Sequence, residues 1–238
     1  MSSFAVQGPL VDAITAFAGS PDDNVRLLDC SLQRIVQLTV ALVGPVDYAS
    51  VTAHRKGAPT TVAMSNDLAR AVDEAQYAGD DGPCLDALAS GTPFRSDIAT
   101  TINWPRFRDD AAALGLSASL SIPLFAGRGA VVAALNLYAH DAAKLDELTR
   151  GILHVFELHE RDVLPAMDHL DHGSAELIVG VLEAFEVQHR IQVALGQLIH
   201  TMNLTADAAY VHLREQSVLA GISLVAAADE LTAKRSVE

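Results

Sequence analysis

Two residue classes are scarce in this chain, and their scarcity narrows the field first. Its 238 residues hold only two cysteines, Cys30 and Cys84, in no C-x-x-C pairing. That excludes a disulfide framework and a zinc ligand set, and it suits a reducing compartment. Cations are few as well: 16 Lys and Arg face 30 Asp and Glu, a net charge of −14. So strong an acidic balance argues against loose, charge-driven attachment to membranes or nucleic acid. No apolar run approaches the roughly 18 residues that cross a bilayer. The opening MSSFAVQGPLVDAITAFAGSPDD lacks a basic start, and Gly8, Pro9 and Asp12 interrupt its apolar stretch. It therefore reads as a short amphipathic helix or a loose leader over residues 1–23, not a signal peptide. A cytoplasmic location is expected. No glycine-rich phosphate loop follows a strand, so nucleotide binding has no motif behind it.

What is present is core-forming. Half of the residues are hydrophobic and 19% are charged, enough for packed domains. Residues 25–43 carry Leu27, Leu28, Leu32, Ile35, Val36, Leu38 and Leu42 mainly at helical spacing, with Cys30 as a small core residue and Gly44-Pro45 as the stop. DYASVTAH and TTVAM, joined by RKGAP, predict a hairpin, and SNDLARAVDEAQ predicts a capped helix. PFRSD (93–97) reads as a loop, followed by a helix from Pro105 to Leu114 that Gly115 closes. In SASLSIPLF, Ala118, Leu120, Ile122 and Leu124 alternate with Ser117, Ser119, Ser121 and Pro123, a strand with one buried and one polar or ligand-facing side. AVVAALNLYA is apolar almost throughout and belongs in the middle of a sheet. The expected fold is an α+β domain over residues 24–169, an antiparallel sheet flanked by helices.

A helix from Leu145 to about Met167, with Pro165 as kink or end, leads to the polar DHLDHGS, where Gly173 marks the domain boundary. Residues 170–238 read as three helices: a long one over 175–201, one from Thr205 to Gly221, and one starting at Ser223. The apolar stripes of the 145–167 and 175–201 helices are wide enough for a homodimer interface.

Several residues invite chemistry. Cys84 follows Gly82-Pro83 at a helix start, where backbone N–H groups favour a thiolate. It is either a redox-reactive thiol or a small buried residue shaping a pocket edge. Trp104, the single tryptophan, either stacks on a planar ligand or anchors its loop. Ser119 and Ser121 either bind a ligand or face solvent, and Asn136 inside an apolar strand needs a polar partner. His154 and His159 are spaced i,i+5, which separates their imidazoles around a helix, while His169 and His172 lie in the linker with Asp168 and Asp171, a place for adventitious metal only; no metal site is expected.

GDDGPCLDALASGTPFRSDI, then WPRF, then ALGLSASLSIPLFAGRGAVVAALNLYAHD resemble the GAF domain of GAF–ANTAR regulators. The tail resembles an ANTAR domain in Ile191, Ala194, Gly196 and Leu198, then Ala209, Leu213, Arg214 and Ser217, then Leu224 and Ala228. The resemblance spans about residues 24–236. It implies a sensor, with Cys84, Trp104, Phe107, Ser119, Ser121 and Asn136 as pocket candidates for an unknown small-molecule or protein signal. It also implies a dimeric RNA-binding output domain that grips tandem hexaloop stem-loops in nascent transcripts and antiterminates transcription, without catalysis or cofactor. The RNA-binding candidates are His189, Arg190, Gly196, His200, Arg214 and Ser217. Where many relatives carry lysine before the motif glycine, this chain has Leu195, and from residue 172 onward acids outnumber bases. A scaffold dimer without RNA binding is therefore a second expectation, and a GAF-fold thiol oxidoreductase using Cys84 a third.

Overall fold

The computed structural model describes residues 6–158 and 169–233. The chain opens with α1 (Pro9–Ala18) and α2 (Val25–Leu42), then the hairpin β1 (Tyr48–Arg55) and β2 (Ala58–Met64). The hairpin turn is Lys56-Gly57, both at positive φ, as a two-residue turn between right-twisted strands requires. Next come α3 (Asp67–Gly79), α4 (Pro83–Ser90), β3 (Phe94–Asp97), α5 (Pro105–Ala113), β4 (Ala118–Ala126) and β5 (Ala130–Ala139). A short 3-10 turn (Ala142–Leu145) leads into α6 (Asp146–Leu158), followed by α7 (His172–Met202), α8 (Ala206–Ala220) and α9 (Leu224–Ala233).

The strands form one antiparallel sheet in the order β2-β1-β5-β4-β3. The apolar β5 is internal, as its composition predicts. PFRSD is not a loop: its last four residues are the edge strand β3, paired with β4 from Phe94↔Ser121 to Asp97↔Ala118. Four residues are too few to show a period, so the neighbouring strand, not local propensity, makes β3 extended.

One face of the sheet packs under α1, α2 and the first half of α7. Ala118, Leu120, Ile122 and Leu124 are buried there with Leu32, Ile35, Leu177, Ile178 and Val181. Of the two readings of the opening segment the amphipathic helix holds for Pro9–Ala18: Leu10, Ile14 and Phe17 of α1 belong to this core. The α1 N-terminus is capped from α7, where the buried Glu176 carboxylate accepts the Leu10 N–H at 3.0 Å and suits the positive end of the helix. Cys30 is not a core residue. It is exposed because it lies some 200° around the helix from Leu28, whose face is the buried one.

α7 is shared between two cores. Leu177, Ile178, Val181 and Leu182 pack with the sheet. Val187, Ile191, Ala194, Leu195 and Leu198 pack with Ala209, Tyr210 and Leu213 of α8 and Leu224, Ala227 and Ala228 of α9. The division expected at 169/170 thus precedes α7, whereas the change of core falls inside it, between Leu182 and Val187. Gly173 is not a linker glycine: a Cβ there would lie 1.9 Å from the Leu42 carbonyl oxygen, so it permits close passage of α7 over the end of α2. Pro165 and His159 fall outside the described residues.

Candidate functional site

The other face of the sheet carries the polar alternates of the same strands, and α3 and α4 lie across it. Register places Ser50, Asn136, Ser121 and Phe94 in one cross-strand row, and Tyr48, Tyr138, Ser119 and Ser96 in the next. Ser50, Thr52, Ser96, Ser119, Ser121 and Asn136 are all essentially inaccessible to solvent.

Asp73 of α3 is the hub. Its carboxylate accepts from Ser50 Oγ at 2.8 Å, Thr61 Oγ1 at 2.8 Å, Asn136 Nδ2 at 3.1 Å and Tyr138 Oη at 2.5 Å. Burial pushes this carboxyl up to about 6, against the pull of those four donors. Gln76 donates to the Tyr138 hydroxyl at 3.3 Å and accepts the Cys84 N–H at 3.0 Å. That approach explains the glycine before Pro83: a Cβ on Gly82 would lie 2.3 Å from Gln76 Oε1. Tyr77 completes the network through Thr52 at 2.8 Å and Thr61 at 3.0 Å, its phenol held protonated by burial and the Asp73 charge.

The pocket candidates divide. Cys84 is fully buried, and its thiol is pushed well up by burial and then by Asp73. The helix-start thiolate is corrected, because desolvation outweighs the α4 dipole. Trp104 is buried, donates from Nε1 to Asp86 at 2.9 Å and meets Phe94 edge-on at 5.9 Å, so its indole anchors the loop. Phe107 is core, packed with Trp104, Val72 and Tyr138. Ser119 and Ser121 do not face solvent. Together with Ser96 their hydroxyls have no hydrogen-bond partner among the described residues, and neither has Asn136 Oδ1. Asp73, Gln76, Tyr77, Ser50, Thr52 and Tyr138 were not singled out from sequence. The available signal was the spacing of Ala69, Val72, Asp73 and Gln76 on one helical face. The arrangement is a buried carboxylate beside a row of hydroxyls that have no partner among the described residues.

The RNA candidates divide as well. His189, Gly196 and His200 share one exposed face of α7 at spacings of seven and four. Arg190 is turned to α9 and bound to Asp229, with Nε to Oδ1 at 2.8 Å. Arg214 is ion-paired with Asp23, and Ser217 donates to the Ile222 carbonyl at 2.6 Å, closing α8. They do not form one basic patch. His172 pairs with Glu176 at 3.1 Å, and no cluster of three metal-ligating side chains occurs among the described residues. No helix among them is long and apolar enough to cross a membrane.

The GAF domain family model matches residues 27–156, the stretch that contains all five strands of this sheet. The chain belongs to the GAF domain family, a class of signal-sensing regulatory domains. Among solved structures it is similar to type II free methionine-R-sulfoxide reductase from Thermoplasma acidophilum at 10% identity and a TM-score of 0.41, covering 66% of this chain and 93% of that one. It is also similar to the nlh2 GAF domain of A. aeolicus in an inactive state at 12% identity and a TM-score of 0.40, covering 63% and 95%. No curated protein matches the chain.

Proposed function

We propose that the chain is a signal-responsive regulator in which the polar sheet face receives a small ligand and the C-terminal helices bind RNA stem-loops to antiterminate transcription. The observation that carries the RNA half is Gly196. It sits exposed inside a 31-residue helix, six residues before its last residue Met202, and a Cβ there would touch nothing among the described residues. A glycine inside a helix costs about 1 kcal/mol relative to alanine, and no contact among the described residues requires it. A backbone bare at that point, flanked by His189 and His200, suits close approach of a nucleic-acid loop. Ile191, Ala194, Leu198, Ala209, Leu213, Leu224 and Ala228, the apolar positions of the resemblance, belong to the core of the module.

α7 is the transmitting element, since it enters both cores. A ligand binding one arrangement of the sensor better than another would bias how α7 presents the module. The scaffold reading has its own support: Arg190 and Arg214 are already bound to carboxylates, while Val218 and Leu219 stand exposed on α8.

Titration of the full chain with a tandem hexaloop stem-loop RNA at two salt concentrations separates the two, with a loop-scrambled RNA as control. Loop-dependent binding that weakens with salt, and that Gly196→Ala reduces at least fivefold while raising thermal stability, is expected. Absence of loop-dependent binding at low salt leaves the scaffold.

A further inference from the structure

The turn after α1 reaches across to the C-terminal helices. Asp22 donates its N–H to the Tyr210 hydroxyl of α8 at 3.2 Å. Its carboxylate takes Arg128 Nε at 3.0 Å, and Arg128 Nη1 continues to Asp207 at the start of α8 at 2.7 Å. The Arg128 guanidinium also lies over the Tyr210 ring, 4.8 Å from its centroid. The β4–β5 turn is shaped for this. Gly127 has φ +58, donates its N–H to Ser20 O at 2.9 Å, and would drive a Cβ to within 2.7 Å of the Asp22 Cβ. Beside this fastening, Asp23 pairs with Arg214.

The two described cations of the helical module differ in who holds them. Arg190 is held by Asp229 from inside the module. Arg214 is held by Asp23, a residue of the sensor half. Its availability therefore depends on how the two halves sit, and Arg190's does not. The side chains of Arg214 and Asp23 are 42% and 39% exposed. Such a pair is weak enough to be released without unfolding either half.

We propose that the Pro21–Asp23 turn is an autoinhibitory strap: it fastens α8 to the sensor through Asp22, Arg128 and Tyr210, and through Asp23 it withholds Arg214 from RNA. The inference rests on the RNA reading above. Any rearrangement that lifts the turn frees a cation of the output module.

The test compares the full wild-type chain with Asp23→Asn and, as control, Asp229→Asn, using the same stem-loop RNA and amide hydrogen exchange over residues 206–220 without RNA. Expected are three- to tenfold tighter RNA binding and faster exchange in α8 for Asp23→Asn, with exchange in α8 unchanged for Asp229→Asn. RNA bound equally by wild type and Asp23→Asn overturns the strap, as does unchanged α8 exchange. Faster exchange without RNA binding in any variant refutes the RNA reading and supports the strap as a fastening of α8.

Discussion

The two faces of the sheet are made by the same strands, residue by residue, yet they are built on opposite principles. Beneath α1, α2 and α7, every inward position of β4 is aliphatic and none carries a polar atom. Beneath α3 and α4, the intervening positions include Ser119 and Ser121, buried to the same depth, with hydroxyls that have no partner among the described residues. Burying an unpaired hydroxyl costs free energy that a methyl group would not. One face is thus optimised for packing and the other holds polar groups at the expense of stability, the pattern of a functional surface inside a fold.

The contrast is broken most forcefully from the apolar side. Leu120 is fully buried opposite Leu137. Leu120→Ala is expected to destabilise the protein by about 2–5 kcal/mol through lost transfer energy and a residual cavity. Denaturant unfolding with an unchanged m-value is the check. A loss below about 1 kcal/mol would mean that this face is as loosely committed as the other.

Next in size is the Asp73 effect, which is visible only against pH. The folded carboxyl titrates near 6 against an ordinary value of 3.8, so the fold prefers the protonated acid. That preference contributes fully below the unfolded value and is lost as pH rises through the folded one, on the order of 3 kcal/mol in all. Wild type should therefore lose stability relative to Asp73→Asn between about pH 4 and pH 7. Stability curves that run parallel over this range would show that the four donors cancel the desolvation.

Much of this architecture is legible in the sequence. The alternation in SASLSIPLF, the turn at RKGAP, the caps at Asn66 and Thr205, and the periodicity of the last three helices all predict what forms, because each is a local preference that the fold keeps. The omissions share a cause: they depend on a partner distant in sequence. β3 is extended because β4 is beside it. Asp73 looks like a solvated helix charge until Ser50, Asn136 and Tyr138 are brought against it. Gly173 looks like linker until α2 passes over it. The change of core within α7 leaves no mark either, since one continuous apolar stripe serves both neighbours.

The smallest expected effect sharpens the comparison most. Ser119→Ala removes a buried hydroxyl with no partner among the described residues, so it takes away a desolvation cost and creates almost no void. On a face built for packing, truncating a buried side chain costs several kcal/mol. Here the change in unfolding free energy should stay within about 0.5 kcal/mol of zero, with stabilisation the favoured sign. Ser121→Ala should behave alike, and the double variant should be additive unless the two hydroxyls share a bridging group. A loss above about 1 kcal/mol would mean that Ser119 makes a hydrogen bond in solution, through water or ligand. Retained stability with lost response to the sensor's ligand would assign these serines to recognition alone.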